Sequence, residues 1–225
     1  MGLIAQSVQA LVGSTYSFSN NEDDTLYENA IASVADSLSI DMMKDYSEFV
    51  ELTNASPHFD TKGKKILMVS WGGANGLDKV CRPVDYAVAK RMSNTESIYE
   101  IDASTGVSLN PVYYIEPNST GGYAYLKVLP VPTDAHSGYV HYFTYPTSAD
   151  LSEDNTISNF PDRAYQAVYL KTAELILNTL INDAVVEDED PELLTLYQNN
   201  LASVKAWYGE EISNLTGGDT TVQAE

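Results

Sequence analysis

The stretch that decides the fold is SNFPDRAYQAVYLKTAELILNTLINDAVVEDEDPELLTLYQNNLASVKAWYGEEIS, residues 158–213. Pro161 and Asp162 suit the first turn of a helix, because proline has no N–H to leave unpaired and a carboxylate favours the positive end of the helix dipole. The same signal returns at Asp190 and Pro191, after the acidic run EDED. The sequence therefore predicts two helices, and their short connection predicts that they are antiparallel.

Each predicted helix has one apolar face, with residues recurring at spacings of three and four. The first face is formed by Tyr165, Val168, Tyr169, Thr172, Leu175, Ile176, Thr179 and Leu180. The second face is formed by Leu193, Leu196, Tyr197, Leu201, Val204, Trp207 and Tyr208. We expect these two faces to pack against each other.

The chain ahead of this pair begins with helical periodicity and then changes to strand periodicity. The first predicted helix carries Leu26, Ala30, Ile31, Val34 and Leu38, and the next carries Met42, Met43, Tyr46, Phe49 and Val50. From residue 64 the apolar period is two, as in the alternation of Ile66, Met68 and Ser70, and the clearest strands are 111–116, 123–130 and 138–145. Short strands at this spacing predict an antiparallel meander.

Helices and strands that are kept apart along the chain predict an α+β fold. It would have N-terminal helices, a central antiparallel β domain and a C-terminal antiparallel helix pair. We predict an N-terminal arm at 1–20, a helical domain from 21–62 and 151–213, a β domain at 63–150 and a C-terminal tail at 214–225. Within the first segment, residues 3–12 are predicted to form either a short helix or part of the arm. The arm and the tail are expected to gain order only on assembly.

The charge distribution is uneven. The formal net charge of −20 argues against wholesale wrapping of nucleic acid. Seven of the twelve basic residues form a candidate basic patch: Lys62, Lys64, Lys65, Lys79, Arg82, Lys90 and Arg91. From residue 162 onward, twelve acids accompany three bases. This polarity would let opposite ends of identical subunits meet head to tail in a ring, although an ordinary mixed surface is the alternative.

No motif predicts catalysis, a cofactor or a metal site. The three histidines, His58, His136 and His141, lack the spacing of metal ligands, and the single Cys81 excludes a cysteine-based zinc cluster. The glycine-rich segment at 71–76 lacks the lysine of a phosphate-binding loop and is expected to be a hairpin turn. We therefore predict that the protein is not an enzyme. No segment is long and apolar enough to predict a membrane partner.

In combination, several segments resemble virion structural proteins of tailed bacteriophages. They are NFPD at 159–162, DEDPEL at 188–193, the helix ending near Trp207 and Tyr208, the strands at 111–116, 125–130 and 139–145, and the early helix with Leu26, Ala30 and Val34. Proteins of this kind are found in the neck of the virion. The resemblance implies a head–tail adaptor, or connector: a ring below the portal, commonly of twelve subunits, that extends the DNA channel and docks tail proteins.

The resemblance also implies the partners and the location. The chain would bind itself, the portal protein and tail or neck proteins, and viral DNA would pass through the channel without sequence-specific binding. Acidic helical surfaces would suit such a channel because they repel phosphate. The protein would be located in the virion neck, after assembly in the cytoplasm of the host bacterium. The portal or ring interface would use Tyr165, Tyr169, Tyr197, Trp207 and Tyr208.

Two other functions remain open at this stage. The first is another structural protein of the neck or tail, such as a stopper, a terminator or a fibre-attachment protein. The second is a β-domain module that binds carbohydrate or protein. Its stacking surface would consist of Trp71, Tyr113, Tyr123, Tyr125 and Tyr139.

Overall fold

The computed structural model describes residues 3–13, 22–73, 79–93, 110–117, 124–147, 157–186 and 190–217. The chain divides into two compact units: Met1–Tyr46 with Tyr145–Glu225, and Ser47–Thr144. The first unit is helical, and the second is built mainly from strands. The α+β architecture is confirmed, with N-terminal helices, a central sheet region and a C-terminal helix pair.

The elements are numbered in chain order. The helices are α1 (Leu3–Val12), α2 (Glu22–Ser37), α3 (Ile40–Met43), α4 (Tyr86–Met92), α5 (Tyr165–Val186) and α6 (Pro191–Gly217). The strands are β1 (Glu48–Leu52), β2 (His58–Asp60), β3 (Lys64–Gly73), β4 (Lys79–Val80), β5 (Arg82–Pro83), β6 (Val112–Pro117), β7 (Ala124–Leu129) and β8 (His136–Thr144). Single 3₁₀ turns follow α3 at Lys44–Tyr46 and precede α5 at Asp162–Ala164.

Helix α5 is the centre of the helical unit, where it contacts α1, α2 and α6. Because it has neighbours on several sides, it buries more than the one face that the sequence predicts. The buried residues of α5 that the sequence analysis missed are Ala167, Leu170, Ala173, Leu177 and Ala184. The predicted face residue Thr179 is exposed, whereas the hydroxyl of the buried Thr172 donates a hydrogen bond of 2.8 Å to the carbonyl of Val168.

Of the two alternatives for Leu3–Val12, the structure has the short helix, α1, and not the arm. Val8 and Val12 lie one helical turn apart and are buried in the same core as Ile176 of α5 and Val204 of α6. The amide of Asn200 on α6 also donates a hydrogen bond to the carbonyl of Val12. The predicted tail begins too early as well, because α6 continues as a helix to Gly217.

The β unit contains two sheets, with strand orders β1-β8-β3-β4 and β2-β7-β6-β5. One core joins residues of the first sheet, such as Val69 and Val140, to residues of the second, such as Leu126 and Val128. The sheets therefore pack face to face as a sandwich. The prediction of a meander is wrong, because β8 lies between β1 and β3, and β5 pairs with β6 in parallel. Helix α4 packs on β6, over the second sheet.

Residues 47–62 belong to the β unit, whereas the sequence analysis placed them in the helical domain. The predicted helical face containing Phe49 and Val50 is instead strand β1. In a strand, Val50 and Leu52 share one side and pack on the sandwich core, while Phe49 lies on the opposite side. The β unit therefore begins at Ser47 and ends at Thr144, so the predicted β domain at 63–150 begins too late and ends too late.

A β-bulge interrupts β3. Ile66 pairs with Tyr142, but Met68 pairs with His141, so Leu67 is an extra residue without a partner of its own. After the bulge, Val69 and Trp71 face the core. The predicted face of Ile66, Met68 and Ser70 is therefore wrong at Met68, which is 40% exposed, although Ser70 is buried. The strand also continues through Gly72 and Gly73, both predicted to lie in a turn, while residues 74–76 of that predicted turn are outside the described residues.

Gly138 allows the two sheets to approach. A Cβ atom at this position would lie 2.9 Å from Cγ2 of Val128 in the opposite sheet and 3.4 Å from Cβ of Leu52. Val128 is buried and β-branched, so it has little freedom to move aside. We expect Gly138→Ala to lower the free energy of unfolding by about 1–3 kcal/mol, the usual cost of overpacking. Urea denaturation measures this change.

The matched control for this variant is Gly209→Ala on α6, where an added Cβ meets no atom within 4 Å. Because alanine is the better helix former, this control should be neutral or stabilising by up to about 1 kcal/mol. Equal effects of the two variants would contradict the close approach of the sheets at Gly138.

The burial of α1 predicts a second effect on stability. Val8→Ala removes two fully buried carbon atoms from the helical core and should destabilise that unit by about 2 kcal/mol. Helical circular dichroism during urea unfolding reports on it. The control is Gln6→Ala, an exposed position on the same helix. If the two variants unfold at the same urea concentration, α1 does not contribute to the core.

Candidate interaction surfaces

The structure divides the five predicted interface aromatics into buried and exposed residues. Tyr197 is buried in the helical core, and Tyr169 and Tyr208 pack against that core. The Tyr165 hydroxyl donates to the carbonyl of Ile157 over 3.2 Å and accepts from its N–H over 3.1 Å. Trp207 is the exposed member of the set, at 51%. Four of the five therefore have structural roles within the unit, which leaves Trp207 available for a partner.

Helix α6 presents an exposed face that includes Trp207. Of its 27 residues, only Tyr197 and Val204 are buried. Leu196 is 52% exposed, and it precedes Trp207 by eleven positions. Eleven residues make three turns and about 20° of an ideal helix, so the two apolar side chains lie on one face, about 16 Å apart. Because tryptophan is enriched among the anchor residues of protein interfaces, the face with Trp207 is a candidate protein-binding surface.

The outer side of the first sheet is a second surface with exposed apolar groups. Phe49 of β1, His141 of β8 and Met68 of β3 form one row across the strands. Phe49 is 67% exposed and Met68 is 40% exposed, and the rings of Phe49 and His141 lie 5.9 Å apart. In the neighbouring row, Val80 pairs with Ser70 and is 65% exposed. Because β1 and β4 are the first and last strands of this sheet, exposed apolar side chains lie at both of its edges.

The seven residues of the candidate basic patch are spread over several elements of the β unit. Lys64 and Lys79 are at opposite ends of β3, since Lys79 pairs with Trp71. Seven residues of strand separate Lys64 from Trp71, which corresponds to about 23 Å. The others occupy the turn after β2, the start of β3, strand β5 and helix α4: Lys62, Lys65, Arg82, Lys90 and Arg91. They do not surround one point, so they do not make one compact site.

Lys90 belongs to an ion-pair network on the second sheet. The carboxylate of Glu116 lies 3.2 Å from Nζ of Lys90 and 2.5 Å from Nζ of Lys127, and it accepts a hydrogen bond of 3.3 Å from the Tyr86 hydroxyl. The hydrogen bond from Lys127, assisted by Lys90, lowers the pKa of Glu116 from 4.5 to about 2. The network links α4 to β6 and β7. Two ammonium groups hold the single carboxylate in its ionised form, which is the property of a structural ion-pair network rather than of a general acid or base.

Each histidine packs against an aromatic ring. His136 stacks on Trp71 with 4.9 Å between ring centroids, and His58 lies 4.5 Å from Tyr125. Within the described ranges, no three His, Cys, Asp or Glu side chains are grouped closely enough to hold a metal ion. Cys81 is buried, and burial raises the pKa of its thiol to about 12. A thiol of this kind stays protonated and is a poor nucleophile.

The helical unit has an open cleft of about 430 Å³, lined by Met42, Asp45, Tyr46, Pro161, Asp162 and Arg163. Its lining combines two acids with one arginine and a few apolar groups, so it has no strong preference for one class of ligand.

Among the helices that the structure describes, none is both long and apolar enough to cross a membrane. No protein-family model matches this sequence, and no curated protein is similar to it in sequence.

The Glu116 network predicts a pH dependence of stability. A carboxylate whose pKa is lowered by folding stabilises the protein above its unfolded pKa, and the contribution is lost as the pH falls through the folded pKa. For Glu116 the loss extends from about pH 4.5 to about pH 2. Glu116→Gln should therefore be less stable than wild type at neutral pH, and the difference should shrink toward pH 2. Urea midpoints at a series of pH values measure the difference.

Lys127→Met provides the comparison, because it removes the strongest partner of the carboxylate. It should reduce the acid-dependent loss of stability in the same pH range. A difference between wild type and Glu116→Gln that stays constant from neutral pH to pH 2 would contradict the assigned network.

Proposed function

We propose that the chain is a non-catalytic structural subunit of a tailed-bacteriophage virion, which forms the head–tail adaptor ring below the portal. The observation that carries this proposal is the exposed face of α6 with Leu196 and Trp207. A long helix that leaves a tryptophan and a leucine in line on its surface offers the anchor residues of a protein interface. The resemblance of the helix pair to phage neck proteins supplies the class of partner.

In this proposal α6 faces the portal protein, and the β unit contacts neighbouring subunits or tail and neck proteins. The location is the neck of the virion, after assembly in the host cytoplasm. Of the seven described acids after residue 161, five are exposed: Asp162, Asp183, Asp190, Glu192 and Glu210. Negative charge on the helical unit is compatible with a channel through which DNA slides without being bound. The ring is proposed to contain about twelve subunits.

The alternative function, a β module that binds carbohydrate or protein, is weakened because the tryptophan of its predicted stacking surface is buried. Trp71 is buried in the sandwich core, so it offers no stacking surface. Tyr113 also packs against that core, and Tyr125 is covered on one side by His58. Tyr123 lies outside the described residues. Tyr139 is half-buried between Glu51 and Ser70, and one tyrosine of this kind is a weak basis for sugar binding.

The Leu196–Trp207 face leads to a direct test with portal rings from the same source. Light scattering of the mixture should show capture of the wild-type chain in a discrete complex of higher mass. Trp207→Ala removes the largest exposed side chain of α6 and should weaken capture about 30-fold, the usual effect of a central anchor residue. Leu196→Ala should weaken it in the same direction.

Gln198→Ala is the matched control, because Gln198 is exposed on α6 but lies about 180° around the helix from Trp207. Its capture should equal that of the wild type. A wild-type chain that ignores portal rings would overturn the proposal. Capture by isolated tail components, with no binding to portal rings, would favour another neck or tail position.

A further inference from the structure

Acidic side chains lie at both ends of the exposed face of α6 that carries Leu196 and Trp207. Glu192 precedes Leu196 by four residues. Glu210 and Glu211 follow Trp207 by three and four residues. Residues at these spacings are neighbours on a helix surface. Glu192 and Glu210 are exposed, and Glu211 is half-buried. The two apolar side chains are therefore flanked by acids on either side.

The acids and the apolar side chains follow one line along the helix. Eighteen residues separate Glu192 from Glu210, which corresponds to five complete turns of an ideal helix and about 27 Å. The polar residues on this line between Leu196 and Trp207 are uncharged: Asn199, Asn200 and Ser203. An uncharged centre with charged ends is the arrangement of a protein interface, whose centre is depleted in charge and whose rim is polar.

The single base of α6 lies on another side of the helix. Lys205 follows Leu196 by nine residues, so it points to the opposite side of an ideal helix. Its Nζ lies 4.0 Å from the carboxylate of Glu174 on α5. Helix α1, which also contacts α6, carries no charged residue. Within the described part of the chain, no base forms an ion pair with the three glutamates of the Leu196–Trp207 face. The charge of this face is therefore uniformly negative.

The same charges disfavour a second copy of this face as the occupant. If two α6 helices packed antiparallel, with Leu196 of each against Trp207 of the other, Glu192 of one copy would meet Glu211 of the other. Parallel packing would bring each glutamate to its own equivalent. Like charges placed opposite each other cost free energy in both arrangements. Nucleic acid and anionic membrane surfaces are also repelled by negative charge.

We infer that the partner surface for this face is a basic protein segment, with Lys or Arg side chains about 27 Å apart and an apolar centre between them. Leu196 and Trp207 would enter the apolar centre, and the glutamates at each end would meet the basic side chains. This inference rests on the proposed function, in which the same face binds the portal protein, and it names the chemistry of the portal surface. Because opposite charges attract the partner, binding should weaken with added salt.

The first test uses two synthetic amphipathic peptides of about 20 residues, which are long enough as helices to span the face. One peptide has a leucine stripe with lysines at both ends, and the matched peptide has glutamates in place of the lysines. The full-length chain should bind the lysine peptide and not the glutamate peptide. The emission of Trp207 measures binding, because an exposed indole shifts to shorter wavelength when it is covered. Trp207→Phe should abolish this change, since Trp71, the other tryptophan, is buried.

Substitution of the glutamates tests their positions. Glu192→Gln and Glu210→Gln should each weaken binding of the lysine peptide about threefold, the effect of one exposed ion pair. The double variant should weaken it about tenfold, because sites this far apart act additively. Glu210→Gln keeps the test valid if Glu192→Gln disturbs the start of α6, where acids stabilise a helix. The matched control is Asp183→Asn, which removes one negative charge from an exposed position on α5 and should leave binding unchanged.

The outcomes for the peptides decide the chemistry of the partner. Preference for the lysine peptide, with weaker binding by the glutamate variants, supports a basic partner. Failure to bind the lysine peptide, equal binding of both peptides, or equal weakening by Asp183→Asn and Glu210→Gln overturns it. Self-association of the wild-type chain that the double variant abolishes would identify a second copy as the occupant, which also overturns it.

The same variants mixed with portal rings separate this inference from the proposed function. Capture that the double variant weakens about tenfold supports both. Capture that depends on Trp207 and not on the glutamates overturns the basic partner and leaves the adaptor function in place. If the chain binds the lysine peptide through the glutamates but ignores portal rings, the adaptor function fails and the basic partner stands.

Discussion

The β unit depends on the bulge at Leu67. One extra residue in β3 changes which side chains point between the sheets, so that Val69 and Trp71 join the core and Met68 turns outward. Without the bulge, the alternation that begins at Ile66 would place Met68 and Ser70 inside, and the large Trp71 ring outside. The bulge also sets the orientation of β4, because Val80 pairs with Ser70 on the outer side. One local irregularity thus determines both the packing of the sandwich and the exposed groups at its edge.

The helix pair could be predicted from the sequence because its signals are local. Proline and acid at each helix start, and apolar residues every three or four positions, need no knowledge of distant partners. The full burial of α5 could not be predicted in the same way. Alanines such as Ala167 and Ala173 do not mark a face by themselves, and both are buried in a helix that contacts α1, α2 and α6. Helix α1 is correspondingly buried by contacts that its own short sequence does not reveal.

The strands show a similar limit. Alternation marked β6, β7 and β8, but it does not specify which strands become neighbours, and β8 returns to lie between β1 and β3. The apolar pair Leu67–Met68 hides the bulge, because either residue suits a buried position. At β1, Phe49 and Val50 fit the end of a helical pattern as well as a strand. Pairing with β8 decides in favour of the strand. In each case a distant partner selects between two local structures of similar propensity.

The candidate surfaces differ from the sequence analysis for the same reason. Tyrosine suits both interfaces and half-buried core positions, and the packing of α5 and α6 uses Tyr197 internally while leaving Trp207 outside. The basic residues that are close in sequence are distributed by the sandwich, and Lys90 is paired with Glu116. What the charge pattern does specify is polarity between edges. An edge strand needs protection against indiscriminate pairing, and charges supply it. At β1 these charges are Glu48 and Glu51, and at β4 the charge is Lys79.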